Sequence, residues 1–279
     1  MSDKADSGKS YHLKCTGAAL ETANAHSDPT ANITLFGSCF CPFVQRAWVA
    51  FEYLGIDYYV NEVDPYKKPA ELLQVSPKGL VPGLKLNNYH PPRSVNESTV
   101  IIEFLEDIAA TTTTKKGFLP PVTDPYARAL IRLQADHVNR SLVPAFYRFL
   151  QSQDEEKQIS SGKEFLESIE GLVKLFERAE QGSDSKFGLW REDGELSLAD
   201  VMAGPWIFRA TNALEYYKGF KYPPGPKFQA YVNRLVSHPA FAKTCSTREL
   251  YIDSYERYAY NRPNTSQVAN AINSGRGLP

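Results

Sequence analysis

Residues 33–46 read Ile33-Thr34-Leu35-Phe36-Gly37-Ser38-Cys39-Phe40-Cys41-Pro42-Phe43-Val44-Gln45-Arg46. Ile33 to Phe36 is a short apolar run suited to a buried strand. Cys41-Pro42 then opens a helix, because proline tolerates the first helical position, where its missing N–H is not needed. Val44, Ala47, Trp48, Phe51 and Leu54 fall on one face of that helix, and Gly55 ends it. Tyr58 to Val60 supplies a second β-type run, and two parallel strands joined by one helix make a right-handed βαβ unit.

Working outward, a Pro-started segment from Pro69 to Leu73 leads to Ser76-Pro77-Lys78-Gly79-Leu80-Val81-Pro82-Gly83. Leu84 to Leu86 and Arg93 to Val95 read as a strand pair, and Glu97 starts a helix with Val100, Ile101, Phe104, Leu105 and Ile108 on its packed face. The order β-α-β-α-β-β-α is thioredoxin-like. Ala109 to Thr123 is turn-rich and aperiodic, which marks a domain boundary. Everything beyond reads helical: Asp124-Pro125 opens a long helix with Pro144 as its expected kink, and Lys163 to Ala179 is amphipathic. Ser197 and Asp200 form a capping-box variant ahead of Val201, Met202 and Trp206.

The expected architecture is α/β plus all-α: a thioredoxin-like domain over 31–109 and a helical bundle over 124–263. Residues 1–30 and 264–279, polar and without periodicity, are expected to be flexible tails. At 279 residues, two domains fit the size at which single cores stop growing. With 31 basic and 32 acidic residues, no strong field would recruit nucleic acid or an anionic membrane. The N-terminus lacks the apolar region of a secretory signal, and no run of about 18 apolar residues occurs, so the expected location is cytoplasmic. Cys15, Cys39, Cys41 and Cys245 then read as reduced thiols rather than a disulfide framework. The five histidines lie scattered without ligand spacing, so no metal is expected, and no phosphate-loop or dinucleotide signature points to a nucleotide cofactor.

Cys41 is the candidate nucleophile. Where a strand ends and a helix begins, its sulfur faces the unpaired amides of the first turn, which favour thiolate. A free thiol is only about 3% ionised at pH 7, and a helix macrodipole supplies at most ~2 kcal/mol toward ionisation. N–H···S bonds or a nearby cation must therefore add to it for the expected depressed pKa. Three residues on stands Val44, so there is no Cys-x-x-Cys partner and an external thiol must resolve any mixed disulfide. Cys39 reads as core packing on the opposite side of the chain.

Phe40 to Arg46, Pro77 to Pro82, Asn96-Glu97-Ser98 and the Ser197 to Asp200 box together resemble the omega-class glutathione transferases of the cysteine type, particularly fungal members, over about residues 31–260. The Cys-Pro-Phe segment by itself is shared with glutaredoxins and intracellular chloride-channel proteins. The resemblance implies catalysis by Cys41 and glutathione as co-substrate. It implies a cis Val81–Pro82 bond, leaving the Val81 backbone free to pair with the tripeptide. Phe43 would pack beside glutathione, Lys68 would take the glycyl carboxylate, Ser98 the γ-glutamyl carboxylate and Glu97 the ammonium. Trp206 and Arg209 would line an acceptor pocket; Tyr251, Tyr255 and Tyr258 share one helical face, a stripe that reads as core as readily as pocket, and Tyr255 is the one assigned to that pocket. The implied activities are thiol transfer, dehydroascorbate reduction and reductive deglutathionylation on small electrophilic, disulfide or phenolic ligands, by a homodimer, with weak conventional conjugation. Two rivals are a carrier of hydrophobic small molecules such as plant phenols, which 12% aromatic residues would permit, and a chloride-channel-like protein, against which Glu97-Ser98 counts.

Overall fold

The structure, a computed structural model, describes residues 11–111, 116–223 and 225–279. Strand β1 (Ile33–Gly37) is buried along its whole length and sits inside a four-stranded sheet of order β2-β1-β3-β4. It pairs in parallel with β2 (Tyr59–Glu62) and antiparallel with β3 (Gly83–Leu86), which pairs antiparallel with β4 (Arg93–Asn96). The period of two along β1 sends Leu35 into the main core and Phe36 into a smaller cluster with Val63, Leu72 and Val75 on the other face.

Helix α1 (Gly17–Ala25) precedes the sheet, and α2 (Pro42–Leu54) follows β1 with Cys41 as its N-cap. Gly37 is required where β1 turns into α2, since a Cβ there would meet Val44 Cγ1 at 2.7 Å. Gly55 closes α2 in the left-handed conformation, φ 69°. Helix α3 (Ala70–Val75) covers the small cluster, and α4 (Ser98–Ala110) packs beside α2 on the main-core face. Ile101 and Leu105 of α4 are buried as its periodicity predicts, whereas Val100 is half exposed.

The helical half begins with α5 (Pro125–His137), whose N-cap Asp124 accepts from the amide of Ala127. The kink expected at Pro144 takes the form of a π-helical turn, Val138–Leu142, ahead of α6 (Val143–Gln151). Pro144 cannot donate to the preceding turn, and the chain widens so that the amide of Val143 reaches back to the carbonyl of Val138. Helix α7 (Glu155–Gly182) is long and amphipathic, and α8 (Leu198–Arg209) starts from the complete Ser197/Asp200 capping box. A second π-helical turn (Ala210–Leu214), α9 (Glu215–Lys218), α10 (Pro226–Ser237), α11 (Pro239–Ala242), α12 (Arg248–Ala259) and α13 (Gln267–Asn273) complete the bundle. One continuous core runs from β1, α2 and α4 into α5–α8 and α12, so the two halves bury a shared surface.

The tail expectations need correction. Residues 1–10 of the N-terminal stretch lie outside the described residues, as do 112–115 of the turn-rich boundary. Within 11–30, α1 is folded and held: the amide of Ala19 donates to the carbonyl of Cys245 at 3.0 Å, and Thr22 Oγ1 to that of Lys243 at 2.8 Å. Its inward positions, Ala19 and Thr22, are too small to print an apolar period on the sequence. At the other end, α13 is capped by Ser266 and docked by Gln151 Nε2, which donates to Asn273 Oδ1 at 2.9 Å. Its buried residues are the equally small Ala269 and Ala271. Among the described residues no helix is long and apolar enough to cross a membrane.

Candidate active site

A cavity of about 850 Å³ opens between the two halves, within the ordinary size of a small-molecule site. Its floor is the start of α2, one side is the 76–82 loop and the start of α4, and the opposite wall is the π-helical turn, α6 and α12. Residues 264–268 and 277–279 close over it, which a loose tail would not do.

Cys41 is the one cysteine among the described residues that lines this cavity; Cys15 and Cys39 are buried elsewhere and Cys245 is half-buried. Its Sγ lies 3.9 Å from the carbonyl oxygen of Val81, to which the thiol donates, and the Val81–Pro82 bond is cis, as is His90–Pro91. The helix start does present its amides. Even so, burial raises the pKa of Cys41 above the ordinary thiol value, outweighing the amides of Val44 and Phe43 and the cations Arg209 and Arg46. The expected depressed pKa is therefore corrected. Burial also pushes Cys39 up to about 12, reinforced by Glu62, and pushes Cys245 up to about 12.

Phe43, Lys68, Val81, Pro82, Glu97 and Ser98 all line the cavity with Cys41. Phe43 meets Trp206 edge-on at 4.8 Å. Lys68 Nζ donates to the carbonyl of Lys78 at 3.0 Å across the Gly79 turn, where φ is 64°. Glu97, the N-cap of α4, is exposed and holds φ at 71°, a region that residues with a side chain seldom enter. Ser98 beside it is buried, and its Oγ accepts from Arg46 Nη1 at 3.4 Å.

The acceptor-pocket expectation divides. Tyr255 lines the cavity, together with Tyr147, Tyr258 and Tyr66. Trp206 and Arg209 do not line it. Trp206 is fully buried beneath Arg46, whose Cζ sits 4.3 Å from its ring centroid. Arg209, also buried, donates through Nη1 to Gln45 Oε1 at 2.5 Å and to the carbonyl of Pro205 at 2.9 Å, and through Nη2 to the carbonyl of Phe40 at 2.9 Å. It ties α8 to the start of α2, and the three-residue spacing of Trp206 and Arg209 turns both toward the core because α8 is apolar nearly all round.

Sequence reasoning gave no role to Arg46, although the motif contains it. Between Pro42 and Leu54 the only charged residues are Arg46 and Glu52, and a cation in so apolar a helix was the available signal. Asn139 and Arg140 reach the cavity from the π-helical turn, which no periodicity announces.

A thioredoxin-like domain with a thiol at its first helix start, a cis-proline loop and a helical second half is the architecture of a glutathione-using transferase. Residues 35–113 match the family model of the glutathione S-transferase N-terminal domain. A solved structure of glutathione transferase Omega 3C from Trametes versicolor is 32% identical with a TM-score of 0.74, covering 88% of this chain and 98% of that one. Glutathione S-transferase omega-1 of Sus scrofa is 26% identical, over 84% of this chain and 86% of its own length. The probable cytosolic glutathione S-transferase DHAR1 of Oryza sativa subsp. japonica is 27% identical, over 75% and 85%. The chain belongs to the glutathione transferase family, in its omega class. It is a glutathione transferase, and glutathione is its co-substrate.

Proposed function

We propose that the chain is a glutathione-dependent thiol transferase and reductive deglutathionylase that works through a Cys41–glutathione mixed disulfide. The carrying observation is that Cys41, alone among the described cysteines, lines the cavity, at a helix start and beside the cis Val81–Pro82 turn. The Cys41 thiolate attacks the glutathione sulfur of a mixed disulfide; the Cys41–glutathione bond forms, and the acceptor sulfur leaves as a thiolate that takes up a proton. A second glutathione thiolate attacks the glutathione sulfur on Cys41, releasing glutathione disulfide and restoring the enzyme. With dehydroascorbate as oxidant, the same conversion of two glutathiones to one disulfide supplies the two electrons. The DHAR-named relatives support this activity. Phe43, Lys68, Val81, Pro82, Glu97 and Ser98 are proposed to hold the tripeptide, and Tyr255 to face the acceptor. A homodimer and a cytoplasmic location belong to the same proposal.

A ligand-carrying role is favoured by one feature, the wall of tyrosines Tyr66, Tyr147, Tyr255 and Tyr258 along the cavity. Two measurements separate the readings. Oxidised glutathione should add one glutathionyl group, about 305 Da, mapping to Cys41, since exchange requires an accessible thiol. In Cys41→Ser, reduction of a hydroxyethyl disulfide should fall to near background while glutathione still binds, because an alcohol cannot form the disulfide. Unchanged disulfide reduction would remove Cys41 from the mechanism and favour the carrier.

A further inference from the structure

Arg46 is 1% exposed, lines the cavity, and has no carboxylate partner among the described residues. Its Nε donates to the carbonyl of Met202 at 3.0 Å and its Nη1 to Ser98 Oγ, while its Nη2 has no partner. The guanidinium Cζ lies 4.3 Å from the Trp206 ring centroid and 5.4 Å from that of Phe43, with both rings, which meet edge-on at 4.8 Å, on one side of it. A buried cation with an unsatisfied N–H is costly unless something completes it. Burial lowers the pKa of Arg46 to about 9, which still leaves it charged at neutral pH.

The charges around the cavity indicate what completes it. Its charged side chains among the described residues are Arg46, Lys68, Arg140 and Glu97. Arg140 is already paired with Asp136 at 2.8 Å. Two cations and one carboxylate remain, the complement of glutathione's two carboxylates and one ammonium. Lys68 lies by the 76–82 loop and Arg46 by Ser98 at the start of the 13-residue helix α4, whose free amides also favour an anion. We infer that Arg46 is a positioning residue for the γ-glutamyl α-carboxylate of glutathione: its Nη1 donates to Ser98 Oγ and so turns the Ser98 hydroxyl toward the carboxylate, while its charge, one side chain behind, adds to the attraction. Arg209 cannot serve, since Gln45, Pro205 and Phe40 occupy its terminal nitrogens and it lies outside the cavity wall. This assignment rests on the proposed orientation of glutathione at Glu97 and Ser98.

The test compares reduced glutathione with 4-aminobutyryl-cysteinyl-glycine, which keeps the ammonium and glycyl carboxylate but lacks the α-carboxylate. Calorimetric titration of the full chain should show the parent preferring glutathione about ten-fold or more. In Arg46→Met that preference should collapse toward unity, while the analogue binds with nearly parental affinity. Arg46→Lys, which keeps charge but not the flat fork, should retain part of the preference and serves if Arg46→Met does not fold. A preference preserved in the folded variants, with both ligands weakened alike, would reduce Arg46 to a structural role and overturn the inference. Equal binding of the two ligands by the parent would overturn the carboxylate subsite itself. Neither outcome depends on Cys41, whose glutathionylation is read separately by mass, so failure of the exchange mechanism is distinguishable from failure of this subsite.

Discussion

Arg209 Nη1 donates to Gln45 Oε1 at 2.5 Å, joining residues 164 apart in sequence across the boundary between the helical half and helix α2, whose N-cap is Cys41. Both are buried, and Gln45 continues the link through Nε2 to Thr244 Oγ1 at 3.1 Å. The guanidinium also lies 4.6 Å from the ring centroid of Tyr251. Arg209 thus holds the two halves in register beneath the cavity instead of contacting what the cavity binds.

The first prediction follows from that arrangement. Arg209→Met leaves Gln45 Oε1 and the carbonyls of Phe40 and Pro205 without their charged donor. Losing such buried bonds should cost about 2–3 kcal/mol of stability. The cost should appear as a lower urea midpoint. The ratio of activities between a bulky and a small disulfide acceptor should stay as in the parent, whereas a change in that ratio would return Arg209 to the acceptor pocket.

The division between what was legible and what was not follows the physics of these elements. Helix α2 was readable because proline, an apolar face and a terminal glycine agree, and the Ser197/Asp200 box because its spacing is its mechanism. The α1 and α13 contacts were not, because they are made by alanine, threonine and backbone groups that carry no hydrophobic period. Cys41 could be placed at a helix start from sequence alone. The sign of its pKa could not, because burial is a property of the closed cavity, to which residues 264–279 contribute.

Glu97 carries the second prediction, in which stability and binding move in opposite directions. Its φ of 71° is strained for any residue with a Cβ and ordinary for glycine. Glu97→Gly should raise the stability of the ligand-free protein by about 1 kcal/mol in chemical denaturation. Removing the carboxylate proposed to meet the ammonium should meanwhile weaken glutathione binding about ten-fold or more. A variant that gains stability and binds glutathione like the parent would show that the strained position serves the turn alone. Loss of stability would mean that the strain is absent.

The last prediction concerns pH. Burial favours the neutral Cys41 thiol, and the amides of Val44 and Phe43 with Arg209 and Arg46 offset that only in part. The thiolate fraction at pH 7 should then fall below the about 3% of a free thiol, and alkylation by iodoacetamide should still be rising above pH ~8.5. A plateau reached below pH 7 would show that the helix start and the cations outweigh burial. The structural thiols make a parallel statement about stability. Cys39 and Cys245 have folded-state values pushed up to about 12, above the unfolded ~8.5, so the neutral form is the one that folding favours. Their contribution is fully present below pH ~8.5 and is lost as pH rises toward about 12, at up to about 1.4 kcal/mol per pH unit for each thiol. Urea midpoints should therefore drop between pH 8 and pH 10. Cys245→Ala should flatten that drop, because the variant no longer has that thiol to ionise in the unfolded chain. Equal slopes in parent and variant would mean that Cys245 titrates alike in both states.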